Sequence, residues 1–401
     1  MRILFVAMTN SVHTARWIGQ LADEGWDLHL FPVEECPPHA SLRNVTVHSL
    51  FAQRSAVNGS TMSQTGIWWP LRRGTSRLEA VIERTSPSLM GRTARLTRLI
   101  RRLKPDIVHS LELTRAGYLT LDAKRLLGGT FPPWMVTNWG SDIYFFGRLA
   151  AHVDRLKAVL ASCDYYACEC KRDVALAREY GLKGEVLPIV PNAGGYDLTM
   201  ARSMRQPGPT SARRMILLKG YQGWAGRALT GLRAIELCAD VLHGYRIGLY
   251  LAGDDVRLAA ELVARSTGLP IEVIPHCSHE EMLRWHGRAR VSIGLSLSDA
   301  ISTSVLEAMV MGSFPIQSNT SCVNEWVEDG TTGLIVPPED PAVIAGAIRR
   351  AVTDDGLVDH AAEVNGRVAD ERLDYLTVQS QAIAMYEKIS AERVTKGAAR
   401  S

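Results

Sequence analysis

No run of about 18 apolar residues occurs in this chain, so it holds no segment of the length an α-helix needs to cross a bilayer. The opening Met1-Arg2-Ile3-Leu4-Phe5-Val6 has one basic residue and an apolar run too short for a secretory signal. A cytoplasmic location is expected. Strong charge of one sign is missing too: 45 Lys and Arg face 42 Asp and Glu, a net +3 over 401 residues, and this argues against a nucleic-acid binder. Cysteine is scarce and odd in number, with seven at Cys36, Cys163, Cys168, Cys170, Cys238, Cys277 and Cys322. The single close pair, Cys168-Glu169-Cys170, has no second pair at metal-site spacing, so reduced thiols are expected. Neither G-x-G-x-x-G nor G-x-x-x-x-G-K-[ST] is present, so a tightly held dinucleotide and a Walker-type site are not expected. His13, His109 and His276 stand apart from one another, and Asp142, Asp254 and Asp255 form no ligand cluster. No metal is expected.

What is present is a repeated strand, loop, helix, strand pattern. Ile3–Met8 reads as a buried strand, Thr9-Asn10-Ser11 breaks it, a helix follows to Glu24, and Asp27–Phe31 is the next strand. The pattern runs to a strand at 186–190, pauses, and restarts at Met215. The length favours two domains. The class is α/β, with two Rossmann-like doubly wound domains facing a central cleft. The boundaries read as 1–191, a Pro/Gly/Ser-rich linker at 192–214, and 215–374. Residues 52–87 read as a long loop with one helix near 76–83. From Arg72 to Lys104 there are ten basic residues against two acidic. An apolar stripe of Leu96, Leu99, Ile100 and Leu103 makes 92–104 an amphipathic basic helix, either a solvated face or a dock for an anionic membrane or phosphorylated acceptor.

The stretch Val291–Gln317 reads as strand, acidic loop, helix, strand, with seven residues between Asp299 and Glu307. Two carboxylates near one helix start are costly unless a ligand or hydrogen bonds engage them. Ser302, Thr303 and Ser304 open the helix, a place suited to phosphate. Ser304-x-x-Glu307 is also a capping box, which would return Glu307 to the helix start. Lys219-Gly220 through Arg227 links a strand to a helix with three glycines and two cations, which suits a diphosphate. Asn10, His13, His109, Glu112, Trp139 and Asp142 fall at strand ends in the first half.

The segment Asp299-x7-Glu307-Ala308-Met309, with Gly312, Pro315 and Glu328-Asp329-Gly330-x-x-Gly333-Leu334, resembles the E-x7-E region of retaining GT-B glycosyltransferases of family four. Pro105-Asp106-Ile107-Val108-His109 and Thr137-x-x-Gly140-Ser141-Asp142 resemble that family's first-domain signatures, and Pro191-Asn192 its crossover. The resemblance implies a metal-independent transfer of a sugar from a nucleotide-diphosphate sugar to a hydroxyl acceptor, with retention. It implies that Glu307 binds the donor ribose, Asp299 the sugar hydroxyls, and Lys219 and Arg227 the diphosphate. Gly220, Gly253, His276, Cys277 and Ser302–Ser304 would complete the donor side. Asn10, His13, His109, Glu112, Trp139 and Asp142 would face the acceptor, and a final helix from Tyr375 would cross back to the first domain. Three positions depart from the family pattern: Asp299 for Glu, Thr9-Asn10-Ser11 for Gly-Gly, and Trp139 for His. They leave open a non-catalytic partner that binds sugar nucleotide, or an epimerase or hydrolase.

Overall fold

The computed structural model describes residues 1–52, 61–68 and 74–398. It separates into two compact units, Met1–Gly194 with Val378–Ser401, and Gly195–Thr377.

The first unit is built on an eight-stranded parallel sheet. Its strands are β1 (Arg2–Ala7), β2 (Asp27–Pro32), β3 (Thr46–Ala52), β4 (Ser63–Trp68), β5 (Ile107–Leu111), β6 (Trp134–Thr137), β7 (Tyr165–Ala167) and β8 (Glu185–Val186). They lie in the order β4-β3-β2-β1-β5-β6-β7-β8. Strands covered on both faces must be apolar at consecutive positions, and Ile3–Ala7 are fully buried. Alternation then divides the core. Ile3, Phe5 and Ile107 pack under the helices Val12–Gly19 and Tyr375–Ala398, whereas Leu4, Val6 and Val108 pack under Arg92–Leu103, Arg115–Leu127 and Ala150–Ser162. The closing helix is tied by Tyr386, whose hydroxyl accepts from Trp17 Nε1 at 2.7 Å and lies 2.7 Å from His109 Nδ1.

The second unit has a six-stranded parallel sheet of β9 (Met215–Lys219), β10 (Arg246–Tyr250), β11 (Ile271–Val273), β12 (Val291–Gly294), β13 (Phe314–Ser318) and β14 (Leu334–Val336), in the order β11-β10-β9-β12-β13-β14. Counted within the unit this is 3-2-1-4-5-6, the dinucleotide-fold order. After β9 the chain goes to one side, and after β12 it goes to the other. The crevice at their carboxyl ends is where such sheets bind ligands. The helix Thr303–Met311 is apolar nearly all round, and Ser304 to Met311 are all buried, as a helix with no polar face must be.

Three sequence expectations are corrected. Residues 195–214 are not a free linker: Tyr196, Leu198 and Ala201 join the cluster around Leu306, Met309 and Val310, because the all-apolar helix needs cover on that side. The loop at 52–87 holds the edge strand β4 and helices at Thr75–Thr85 and Pro87–Met90, while 53–60 and 69–73 lie outside the described residues. The basic helix is partly neutralised. Arg92 and Arg95 form ion pairs with the buried Glu79, and Arg95 also reaches Glu35 at 3.4 Å. None of the seven cysteines forms a disulfide, and no described helix is long and apolar enough to cross a membrane.

Tyr386→Phe removes the acceptor of the Trp17 N–H and a hydrogen-bond partner of His109, both buried. A loss of about 1–3 kcal/mol of stability is expected, read as a lowered denaturation midpoint of the full chain.

Candidate functional site

In the second unit five helices begin near the carboxyl ends of the strands, and one of them, Pro341–Thr353 after β14, has its start held by the Asp340 carboxylate at the N-cap. Asp254–Thr267 carries Asp254 and Asp255 in its first turn, and His279–Arg288 carries Glu280 and Glu281. Those acids offset the positive helix end. Ala228–Leu237 and Thr303–Met311 have no acid in the first turn. These two follow β9 and β12, the strands that flank the switch point. At the same place two cations come in. Lys219, the last residue of β9, is buried, and its Nζ donates to Ser302 Oγ at 3.1 Å and lies 4.5 Å from the Tyr221 ring centroid. It forms no ion pair among the described residues. Arg227 occupies the N-cap of Ala228–Leu237 and pairs with the exposed Glu339 at 2.7 Å. Gly220 lets the ends of β9 and β10 close up, since a Cβ there would lie 2.7 Å from Ala252 Cα. Cations placed at two helix starts that carry no acid in their first turn are an arrangement suited to phosphate.

The capping box expected for Glu307 does not form. Ser302 is the N-cap and its hydroxyl makes no cap bond, being held by Lys219 and by Ser304 Oγ at 2.8 Å. The buried Glu307 carboxylate turns instead to the helix His279–Arg288. Oε1 lies 3.0 Å from His279 Nε2 and Oε2 lies 3.5 Å from His286 Nε2. Burial pushes this carboxyl up, but the two imidazoles outweigh burial and hold it well below the usual carboxylate range. Asp299 is half-buried in the loop before this helix, and Thr303 is half-buried at its start. Gly253 and His276 are exposed and Cys277 half-buried, on the loops after β10 and β11.

In the first unit the six expected residues divide by depth. Asn10 is exposed, and His13 and Trp139 are half-buried with ring centroids 5.7 Å apart. The other three are enclosed. Both nitrogens of His109 are taken: Nδ1 lies 2.7 Å from the Tyr386 hydroxyl and Nε2 lies 2.6 Å from Thr137 Oγ1. Burial pushes His109 down to about 3, so it is a neutral core residue rather than a contact for an acceptor. Glu112, in a left-handed conformation (φ 101°), caps Arg115–Leu127 by accepting from Arg115 N at 2.6 Å and Ala116 N at 3.1 Å. Asp142 accepts from Leu113 N at 2.7 Å and Trp139 N at 3.0 Å, joining the loops after β5 and β6. Burial, with Glu112 and Asp173 nearby, pushes its carboxyl up to about 8 against the pull of those two bonds. His279 and His286 were missed as site residues. The available signal was their seven-residue spacing, two turns on one helix face, on the helix immediately preceding the strand that leads to Asp299.

Two family models match the chain. One, described as glycosyl transferases group 1, covers residues 228–354, and the other, glycosyl transferase 4-like, covers 2–69 and 70–169. The chain thus joins a glycosyl transferase 4-like first half to a glycosyl transferases group 1 second half. It is similar to a D-inositol 3-phosphate glycosyltransferase of a Nocardioides species, 29% identical over 140 residues, which are 34% of this chain and 30% of that protein. A Streptomyces bingchenggensis protein of the same name is 29% identical over 84 residues, 21% of this chain and 18% of that one. The matched stretches thus span under a third of those relatives. Among solved structures the glycosyl transferase resembles sucrose-phosphate synthase of Thermosynechococcus elongatus (TM-score 0.71, 16% identity, 98% of this chain and 100% of that one). It also resembles Anabaena HepE, solved in complex with UDP-glucose (TM-score 0.70, 12% identity, 97% and 100%). At these identities the likeness shows the GT-B fold.

His109 gives this glycosyl transferase a titration signature. Its folded value of about 3 lies below the unfolded reference of 6.5. The unfolded chain therefore takes up a proton first, and stability from this group is lost as pH falls from 6.5 toward 3. Asp142, raised from 3.8 to about 8, acts in the opposite sense over an overlapping range. The comparison is therefore between variants. Between pH 6 and 4, urea unfolding of His109→Gln should show a stability slope lower than wild type by up to about 1.4 kcal/mol per pH unit.

Proposed function

We propose that this chain is a retaining glycosyltransferase, which moves a sugar from a nucleotide-diphosphate sugar to a hydroxyl acceptor without a metal. The observation that carries the reading is the meeting of Lys219 and Arg227 with two acid-free helix starts at the switch point of the second sheet. In the reaction the bond from the sugar's anomeric carbon to the diphosphate oxygen breaks, and negative charge grows on the diphosphate. Lys219, Arg227 and the N–H groups at the start of Thr303–Met311 oppose that charge, the electrostatic work a metal ion does in other transferases. Glu307 takes the ribose hydroxyls and Asp299, one methylene shorter than the family's Glu, takes hydroxyls of the transferred sugar. The acceptor oxygen bonds to the anomeric carbon on the face the diphosphate leaves, and its proton passes to the departing diphosphate oxygen.

That proton path is supported by the first unit. His109 is buried with both nitrogens engaged, and the family's histidine position holds Trp139. The acceptor surface then consists of Asn10, His13 and Trp139, with an indole wall suited to the apolar face of a ring. The UDP-glucose bound to HepE supports a nucleoside diphosphate hexose as donor.

The test is release of nucleoside diphosphate from a panel of nucleotide sugars, with and without candidate acceptors. Release that requires an acceptor is expected. Release without one would indicate a hydrolase, and binding with no turnover a non-catalytic partner. Lys219→Ala should lower kcat by about a hundredfold or more, and Glu307→Ala should abolish turnover; near-wild-type activity of Glu307→Ala would overturn the donor assignment.

A further inference from the structure

The two histidines on Glu307 are not equivalent. His286 is fully buried, and its other nitrogen, Nδ1, lies 2.9 Å from Ser292 Oγ, which in turn lies 2.8 Å from Ser313 Oγ. That ring is held by Ser292 on the central strand β12. His279 is the first residue of the helix His279–Arg288, with 38% of its side chain exposed. Beyond Glu307 its ring meets the Tyr196 ring at a centroid distance of 6.0 Å. The helix start is secured without it, by the Ser278 and Glu281 capping box. Glu307 itself is only 6% exposed, and His279, the more exposed of its two imidazole partners, lies on Oε1. A ribose diol needs the carboxylate oxygens as acceptors. The fixed imidazole cannot leave, and the exposed one can rotate away without breaking the fold.

We propose that His279 is a displaceable latch on Glu307, so that a nucleotide sugar must compete with this imidazole for the carboxylate and binds less well as pH falls. This rests on the reading of Glu307 as the ribose-binding residue. An imidazolium holds a carboxylate more strongly than a neutral imidazole does, and imidazoles gain their proton in the physiological range. The other groups around the pair do not produce the same trend. Tyr250, at the end of β10, and Cys277, in the loop after β11, are both pushed up by burial and by the Glu307 charge, away from this range. Glu281 is held low by its bonds to Ser278, and Glu280 pairs with Arg284. Lys219 reaches the same helix through Ser302, and Arg205 and Arg213 bond its far end at Val310 O and Met311 O. The disubstituted diphosphate of a nucleotide sugar keeps its charge throughout. His286 is the remaining titratable neighbour, and a variant separates it.

Donor KM is measured from pH 5.5 to 8.5 with UDP-glucose, or with whichever nucleotide sugar of the panel turns over. The wild type should show KM rising about tenfold toward pH 5.5. In His279→Ala and His279→Asn, the second keeping a neutral hydrogen-bond donor, the rise should disappear, with the change falling on KM. If both variants keep the wild-type pH dependence while Glu307→Ala loses donor binding, the latch is wrong and the donor site stands. If Glu307→Ala keeps the wild-type KM, or no nucleotide sugar binds, the donor reading falls and the latch with it.

Discussion

A buried ammonium group has to be compensated, and Lys219 governs the second unit for that reason. Its charge sits at the end of a central strand, against a hydroxyl and an aromatic face, with no carboxylate paired to it among the described residues. It also sits at the start of a helix whose partial positive charge opposes it. Such a cluster is unfavourable in the protein alone. A diphosphate, which is negative where the protein is positive and rich in acceptors where the helix offers N–H groups, reverses the sign of every one of these terms. The strand order 3-2-1-4-5-6 puts the cluster at the switch point, where the chain leaves β9 and β12 in opposite directions.

The carboxylate on the same helix is kept out of this arrangement. Glu307 lies on the same helix as Ser302 and would be an obvious partner for the cation or the cap. The two histidines draw its carboxylate sideways, and Ser302 and Ser304 stand between the helix start and the acid. Carboxylate and ammonium therefore remain two separate groups, which in the proposed reaction serve hydroxyls and phosphate respectively. Left to form an ion pair, they would cancel.

Much of this was legible in the residues. The doubly wound halves came from hydrophobic runs broken at Gly, Asn and Asp, and the donor-side stretch stood out as strand, acidic loop and helix. What the sequence hid was of two kinds. β3 and β4 were unreadable because Thr46–Ala52 mixes polar and apolar positions and Ser63–Trp68 is an exposed edge, where backbone pairing decides the strand. The 195–214 segment has linker composition, yet Leu198 and Ala201 are needed to cover an apolar helix a hundred residues away. The capping box at Ser304 and Glu307 failed for a related reason: local spacing offered one partner, and tertiary contact with His279 and His286 offered stronger ones.

Depth also separates support from contact in the first unit, a distinction residue type cannot make. His109, Glu112 and Asp142 all lie at strand ends and all carry ionisable groups, yet each is enclosed and bonded to backbone or core hydroxyls. A histidine pushed down to about 3 is neutral near neutrality and has no free nitrogen to accept a proton. A carboxyl that joins two loops through Leu113 N and Trp139 N anchors the backbone that carries the indole. These three residues make a rigid floor, and Asn10, His13 and Trp139 stand on it. His13 is then the one imidazole among the expected acceptor-side residues that reaches the surface. Its edge packs against Trp139, so the shape of the indole and the hydrogen-bonding of the imidazole act on the same part of an acceptor. In the proposed transfer, acceptor selectivity would be set there by a wall and one polar group, with the acid–base chemistry left to the departing diphosphate.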